Sequence, residues 1–149
     1  MAEPAARTWL LLLYRIPREP AAPRVAVWRK LKRLGALLLH DAVWVLPVTP
    51  WTAEQFRWIA AEIVEAGGDA MVWEARLALG QDERMVEQFA AQVDAPYAEI
   101  LAELAQEQAD VLALSRRYQQ VSRQDYFRSE LGQRVRAALQ AAAAGGGSR

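Results

Sequence analysis

The sequence predicts an α+β fold: a βαββαβ sheet domain over residues 1–80, followed by a helical extension over residues 81–144. Three observations lead there. Short runs rich in branched and aromatic residues alternate with segments of helical period in the first half of the chain. Glycine and proline punctuate each change of period. Beyond residue 80 only helical periodicity remains. The composition, 53% hydrophobic and 24% charged over 149 residues, suits one core-bearing domain with an appendage rather than a disordered chain.

The elements follow in order. Thr8–Ile16 (TWLLLLYRI) reads as a buried strand stopped by Pro17, and Pro17–Pro23 holds three prolines and reads as a stiff loop. Arg24–Leu34 has helical period, with Val27, Trp28, Leu31 and Leu34 on one stripe, Pro23 just before its start and Gly35 as a left-handed cap. Leu37–Pro47 reads as two strands meeting near His40-Asp41. Thr52 and Gln55 form a capping-box pattern for a second helix carrying Phe56, Ile59, Ile63 and Val64, ended by Gly67-Gly68. Asp69–Leu79 alternates, with Met71, Trp73, Ala75 and Leu77 on the expected inner face.

This order is the split βαβ, or ferredoxin-like, arrangement: an antiparallel sheet with two helices on one face. The extension is expected to begin at Asp82 and break near Pro96. Tyr97, Leu104, Val111 and Tyr118 then recur every seven residues, with Ile100, Leu114 and Val121 three positions after three of them and Glu107 breaking the second series. That spacing suits a helical hairpin packed on the sheet domain or a dimer seam. Residues 145–149 read as a disordered tail.

Net charge is zero, from 18 basic and 18 acidic residues, yet the charges are segregated. Residues 1–35 carry a net +6, residues 36–113 a net −11, and residues 114–149 a net +5. Two basic segments flanking an acidic body point toward a polyanion. Arg24, Arg29, Lys30, Lys32 and Arg33 crowd the first helix, and Arg116, Arg117 and Arg123 lie on the later helices, together forming a candidate DNA-binding set. A solvated helix face produces the same spacing on one helix; two such groups favour nucleic acid. Arg15, Arg18 and Arg24 bracket the proline-rich loop at the start of that helix and form a candidate oxyanion site.

Other chemistries have little support. The chain has no cysteine, which excludes disulfides, thiol catalysis and Cys-based zinc sites. The first strand ends Leu13-Tyr14-Arg15-Ile16 with no carboxylate for a catalytic metal, and Asp41 beside the single histidine, His40, is the weak remaining candidate for a metal-dependent nuclease. No cofactor, metal or catalytic group is expected. The apolar run at residues 9–13 is far short of the ~20 residues of a membrane helix and lacks a cleavage-site pattern, so a cytoplasmic protein with no membrane partner is expected. Of six tryptophans, Trp9, Trp28, Trp44 and Trp73 are expected in the core, with Trp51 and Trp58 open.

The strings WLLLLYRIPREP (9–20), PRVAVWRKLKRLGALLLHDAVWVLP (23–47) and PWTAEQF with EIVEAGGDAMVWEA (50–75) resemble the N-terminal domain of the ChrB chromate-resistance regulators, over roughly residues 8–135. The resemblance implies a cytoplasmic bacterial transcriptional regulator that binds the operator of a chromate-efflux operon and responds to the chromate oxyanion; a homodimer is expected because twofold operators are read by twofold proteins. It also implies a further C-terminal domain in full-length relatives, absent before Arg149. More distantly, the pattern is similar to the central domain of the phenylacetate repressor PaaX and to small ferredoxin-like endonucleases. Those nucleases use an aspartate after the first strand, where this chain has Tyr14-Arg15. A non-catalytic protein-interaction module is the alternative reading.

Overall fold

The computed structural model describes residues 7–41 and 43–146. The chain divides into two compact units, Met1–Met85 and Val86–Arg149. The first holds strands β1 (Trp9–Arg15), β2 (Leu37–His40), β3 (Val43–Pro47) and β4 (Asp69–Ala75), with helices α1 (Ala21–Leu34) and α2 (Pro50–Glu65). The order is βαββαβ, and the sheet runs β2-β3-β1-β4 with every neighbouring pair antiparallel. This is the ferredoxin-like arrangement the periodicities predict.

Side-chain alternation explains the core. Leu10 and Leu12 of β1 lie opposite Leu46 and Trp44 of β3, and all four are buried. Val27 and Leu31 of α1 and Phe56, Ile59 and Ile63 of α2 complete the layer. On the other face Trp9 is buried, and its indole N–H donates to Asp82 Oδ1 at 2.7 Å. Asp41, with a φ of 31°, takes the left-handed turn conformation between β2 and β3 that short polar side chains tolerate.

Several expectations need correction. α1 begins at Ala21 and not after Pro23, because a proline in the first helical turn loses only an N–H that has no intrahelical partner. The cap of α2 is Thr49 with Thr52, not Thr52 with Gln55: Pro50 takes the first helical position, Thr52 N–H donates to Thr49 Oγ1 at 3.0 Å, and Thr49 N–H donates to Thr52 Oγ1 at 2.8 Å. The Thr52 hydroxyl also donates to the Pro47 carbonyl at 2.7 Å, which ties the helix to the end of β3. β4 ends at Ala75 and is an edge strand, so Met71 and Trp73 are exposed and no inner face forms there. Trp28 is likewise exposed: burial on α1 centres on Val27 and Leu31, and Trp28 falls on the rim of that stripe.

The second unit is helical, with most of α3 (Asp82–Leu104), then α4 (Val111–Ser122) and α5 (Glu130–Gly146). Val93, Tyr97, Ile100, Leu114, Val135 and Leu139 form its core, with Leu104, Val111, Tyr118 and Val121 packed around them. The seven-residue series is therefore distributed over two helices joined by residues 105–110. The expected break at Pro96 does not occur; α3 runs through it. The missing N–H removes one helical bond, while Val93, Tyr97 and Ile100 on either side are buried in one core that holds the helix together. Gly145 and Gly146 extend α5 into the expected tail, whose residues 147–149 lie outside the described residues. No helix among the described residues is long and apolar enough to cross a membrane.

Candidate nucleic-acid interface

The basic stretch predicted from sequence is mounted on α1 by two opposed features. Val27 and Leu31, one turn apart, anchor the helix to the core. Gly35, at a left-handed φ of 75°, closes its end by donating to the Leu31 and Lys32 carbonyls. The remaining face carries Arg24, Arg29, Lys32 and Arg33, all exposed. α1 contains no Asp or Glu. Arg24 to Arg33 spans about 13 Å of helix at about 1.5 Å per residue, close to four base-pair rises of duplex.

The structure separates cations that sequence treats alike. Lys30 is half-buried and forms an ion pair with Glu62 of α2. The Lys32 ammonium lies 5.7 Å from the Trp28 ring centroid, a cation–π geometry. Arg29 makes no ion pair among the described residues. Between α1 and α2 a cavity of about 310 Å³ is lined by Lys30, Arg33, Gln55, Trp58 and Glu62, among others. Sequence reasoning does not single out Trp58 and Gln55 as binding residues; an exposed tryptophan four residues before Glu62 on an amphipathic helix is the available signal.

The three arginines of the candidate oxyanion site occupy different settings. Arg24 lines a cleft of about 270 Å³ with Tyr14, Val25 and Trp28. Arg15 is at the exposed end of β1, opposite Asp69 in the ladder with β4, and Arg18 is exposed in the loop. Neither lines the Arg24 cleft. Asp41, the nuclease candidate, belongs to the β2–β3 turn, and no group of three His, Cys, Asp or Glu is placed to hold a metal among the described residues.

In the helical unit Arg116 and Arg123 are exposed, whereas Arg117 is bonded to Glu103 and lies 3.7 Å from Glu99. A second set of polar residues, which no sequence pattern marks, surrounds Asp125. Its carboxylate accepts from the Tyr97 hydroxyl at 2.9 Å and from the Ser129 N–H at 3.0 Å. The Ser129 hydroxyl donates to Asp94 at 2.9 Å. Burial, and then the Asp125 carboxylate, push the Tyr97 phenol well above its ordinary value. Burial alone pushes Tyr126 up to about 12. Tyr118, Arg128, Gln133 and Arg136 join Asp125 around a cavity of about 450 Å³.

The family described as Protein ChrB, N-terminal, matches residues 24–111, from the first arginine of α1 to the start of α4. Protein ChrB of Cupriavidus metallidurans is 28% identical over 141 residues, an alignment covering 85% of this chain and 43% of that protein. The chain thus spans less than half the length of this curated relative. No solved structure matches it. With the family match covering more than half of its residues, including the whole basic face of α1, the chain belongs to the ChrB N-terminal family.

Proposed function

We propose that this chain is a DNA-binding regulatory part of a chromate-responsive transcriptional regulator, and that the exposed face of α1 contacts duplex phosphates. One observation carries the reading: α1 displays Arg24, Arg29, Lys32 and Arg33 to solvent and contains no acidic residue, in a chain of zero net charge. Phosphate contacts of this type position a protein on the duplex without reading its sequence. Membership of the ChrB family supports the regulatory context. Arg116 and Arg123 extend the basic set, and Arg117 contributes less because Glu99 and Glu103 already engage it. Chromate, a tetrahedral dianion, is met by Arg24 beside Tyr14.

The test is a salt-titrated anisotropy measurement on a labelled duplex, with and without chromate. Affinity falls steeply with salt, and Arg29→Glu, Lys32→Glu and Arg33→Glu together weaken binding to all duplexes. Removing one cation that neutralises a phosphate lowers the log–log salt slope by about 0.9. Unchanged affinity in the triple variant sinks the α1 assignment. A chromate effect that survives Arg24→Gln removes chromate from the Tyr14 cleft.

A further inference from the structure

We propose that the outer edge of β4 is a homodimer interface, at which a second copy of this chain adds its own β4 antiparallel about Val72 to make one continuous sheet. The two edges of the sheet differ. β2 has four residues and a register shift between Leu38 and His40. β4 has seven residues in unbroken register with β1 from Asp69 to Ala75. Among the described residues no strand pairs with its outer side. Met71, Val72 and Trp73 are 59%, 38% and 52% exposed. The strand has no lysine, proline or bulge, three of the devices that ordinarily keep such an edge from pairing; its only charges are Asp69 at one end and Glu74.

The sequence of the strand selects a second copy as the occupant. Antiparallel pairing must place residues of the same sheet face opposite one another. The register that pairs all seven residues of Asp-Ala-Met-Val-Trp-Glu-Ala with themselves is centred on Val72. It sets Asp69 against Ala75, Ala70 against Glu74, Met71 against Trp73 and Val72 against Val72. No carboxylate opposes a carboxylate, and the thioether–indole contact is made twice. Sliding by two residues toward Trp73 places Val72 against Glu74 and leaves Asp69 beyond the paired strand.

The same register joins rows already present in the sheet. Leu37, Val45, Leu11 and Trp73 lie side by side on one face, as do Val43, Leu13 and Met71. Across the twofold, the first row of one copy continues into the second row of the other through Trp73 and Met71. This interface rests on the sheet alone and is independent of the DNA-binding reading.

Equilibrium sedimentation of the full chain tests it, together with cysteine cross-linking, since the protein has no cysteine of its own. The wild-type chain sediments at twice 16.7 kDa. Val72→Lys, which sets two cations against each other at the twofold, sediments as a single chain with an unchanged circular dichroism spectrum. Val72→Cys becomes a covalent dimer under mild oxidation, while His40→Cys on the β2 edge stays uncross-linked. A wild-type chain that sediments singly at high micromolar concentration overturns the proposal. So does Val72→Cys cross-linking no faster than His40→Cys, which decides the matter even where Val72→Lys fails to fold.

Discussion

The two ends of the chain carry similar net charge, +6 over residues 1–35 and +5 over residues 114–149, and use it differently. In the sheet unit five cations share one helix that contains no acid, and Lys30 of that helix forms an ion pair with Glu62. In the helical unit Arg117 is taken up by Glu99 and Glu103, and a polar network of Tyr97, Asp125, Ser129 and Asp94 is built into the packing. The difference teaches that a charge count along a chain measures supply and not availability. A cation bonded to a nearby carboxylate has little left to offer a phosphate.

The largest expected effect tests whether the helical unit depends on that network. A Cβ at Gly132 would sit 2.7 Å from the Tyr97 ring and 2.9 Å from Asp125 Oδ2. Gly132→Val therefore costs about 3 kcal/mol through overpacking, read as reduced hydrogen-exchange protection in α3, α4 and α5. An equal reduction in β1 and β3 would show that the contrast between units does not extend to stability.

Alkaline pH gives the next effect. Tyr97 and Tyr126 hold their protons more tightly in the folded chain than the ordinary tyrosine value of 10.0. The stability this confers is intact below pH 10 and is lost as pH rises toward the folded values, because the unfolded chain ionises first. Unfolding free energies from denaturant titration should fall from pH 10 upward. Tyr126→Phe should flatten that fall. An identical slope in the variant would remove Tyr126 from the account.

The smallest effect sharpens the distinction between engaged and available cations. The Lys30–Glu62 pair has side-chain exposures of 42% and 39%, so Lys30→Gln costs under about 1 kcal/mol of stability. It should change DNA affinity less than Arg29→Gln does. The reverse ranking would mean that the ion pair opens on binding.

Much of the fold is legible in the sequence because local signals and tertiary packing agree there. The β-α-β-β-α-β order, the Gly35 cap and the core positions Val27, Leu31, Phe56 and Ile59 follow from period and punctuation. Trp73 is misplaced by that reading because alternation reveals the faces of a strand but not whether the strand lies at an edge. Trp28 is misplaced because a stripe drawn through four apolar residues is wider than the part of α1 that meets the core. Pro96 reads as a break because its local cost is visible in sequence, while the packing of Tyr97 and Ile100 that offsets it is not. At the candidate interface the basic residues of α1 are legible and their partners are not: Glu62 lies 32 positions from Lys30. The Asp125 network joins residues 28 and 35 positions apart, and no local pattern announces it.

The most direct test sets two charge-reversed proteins side by side in one salt titration against the same duplex: Arg29, Lys32 and Arg33 to Glu on α1, and Arg116, Arg117 and Arg123 to Glu on the helical unit. If α1 is the principal phosphate-binding face, the salt slope of the first variant falls by close to three units, at about 0.9 for each neutralised phosphate, and that of the second falls by less. Equal reductions, or a larger reduction in the second variant, would contradict the assignment of the interface to α1.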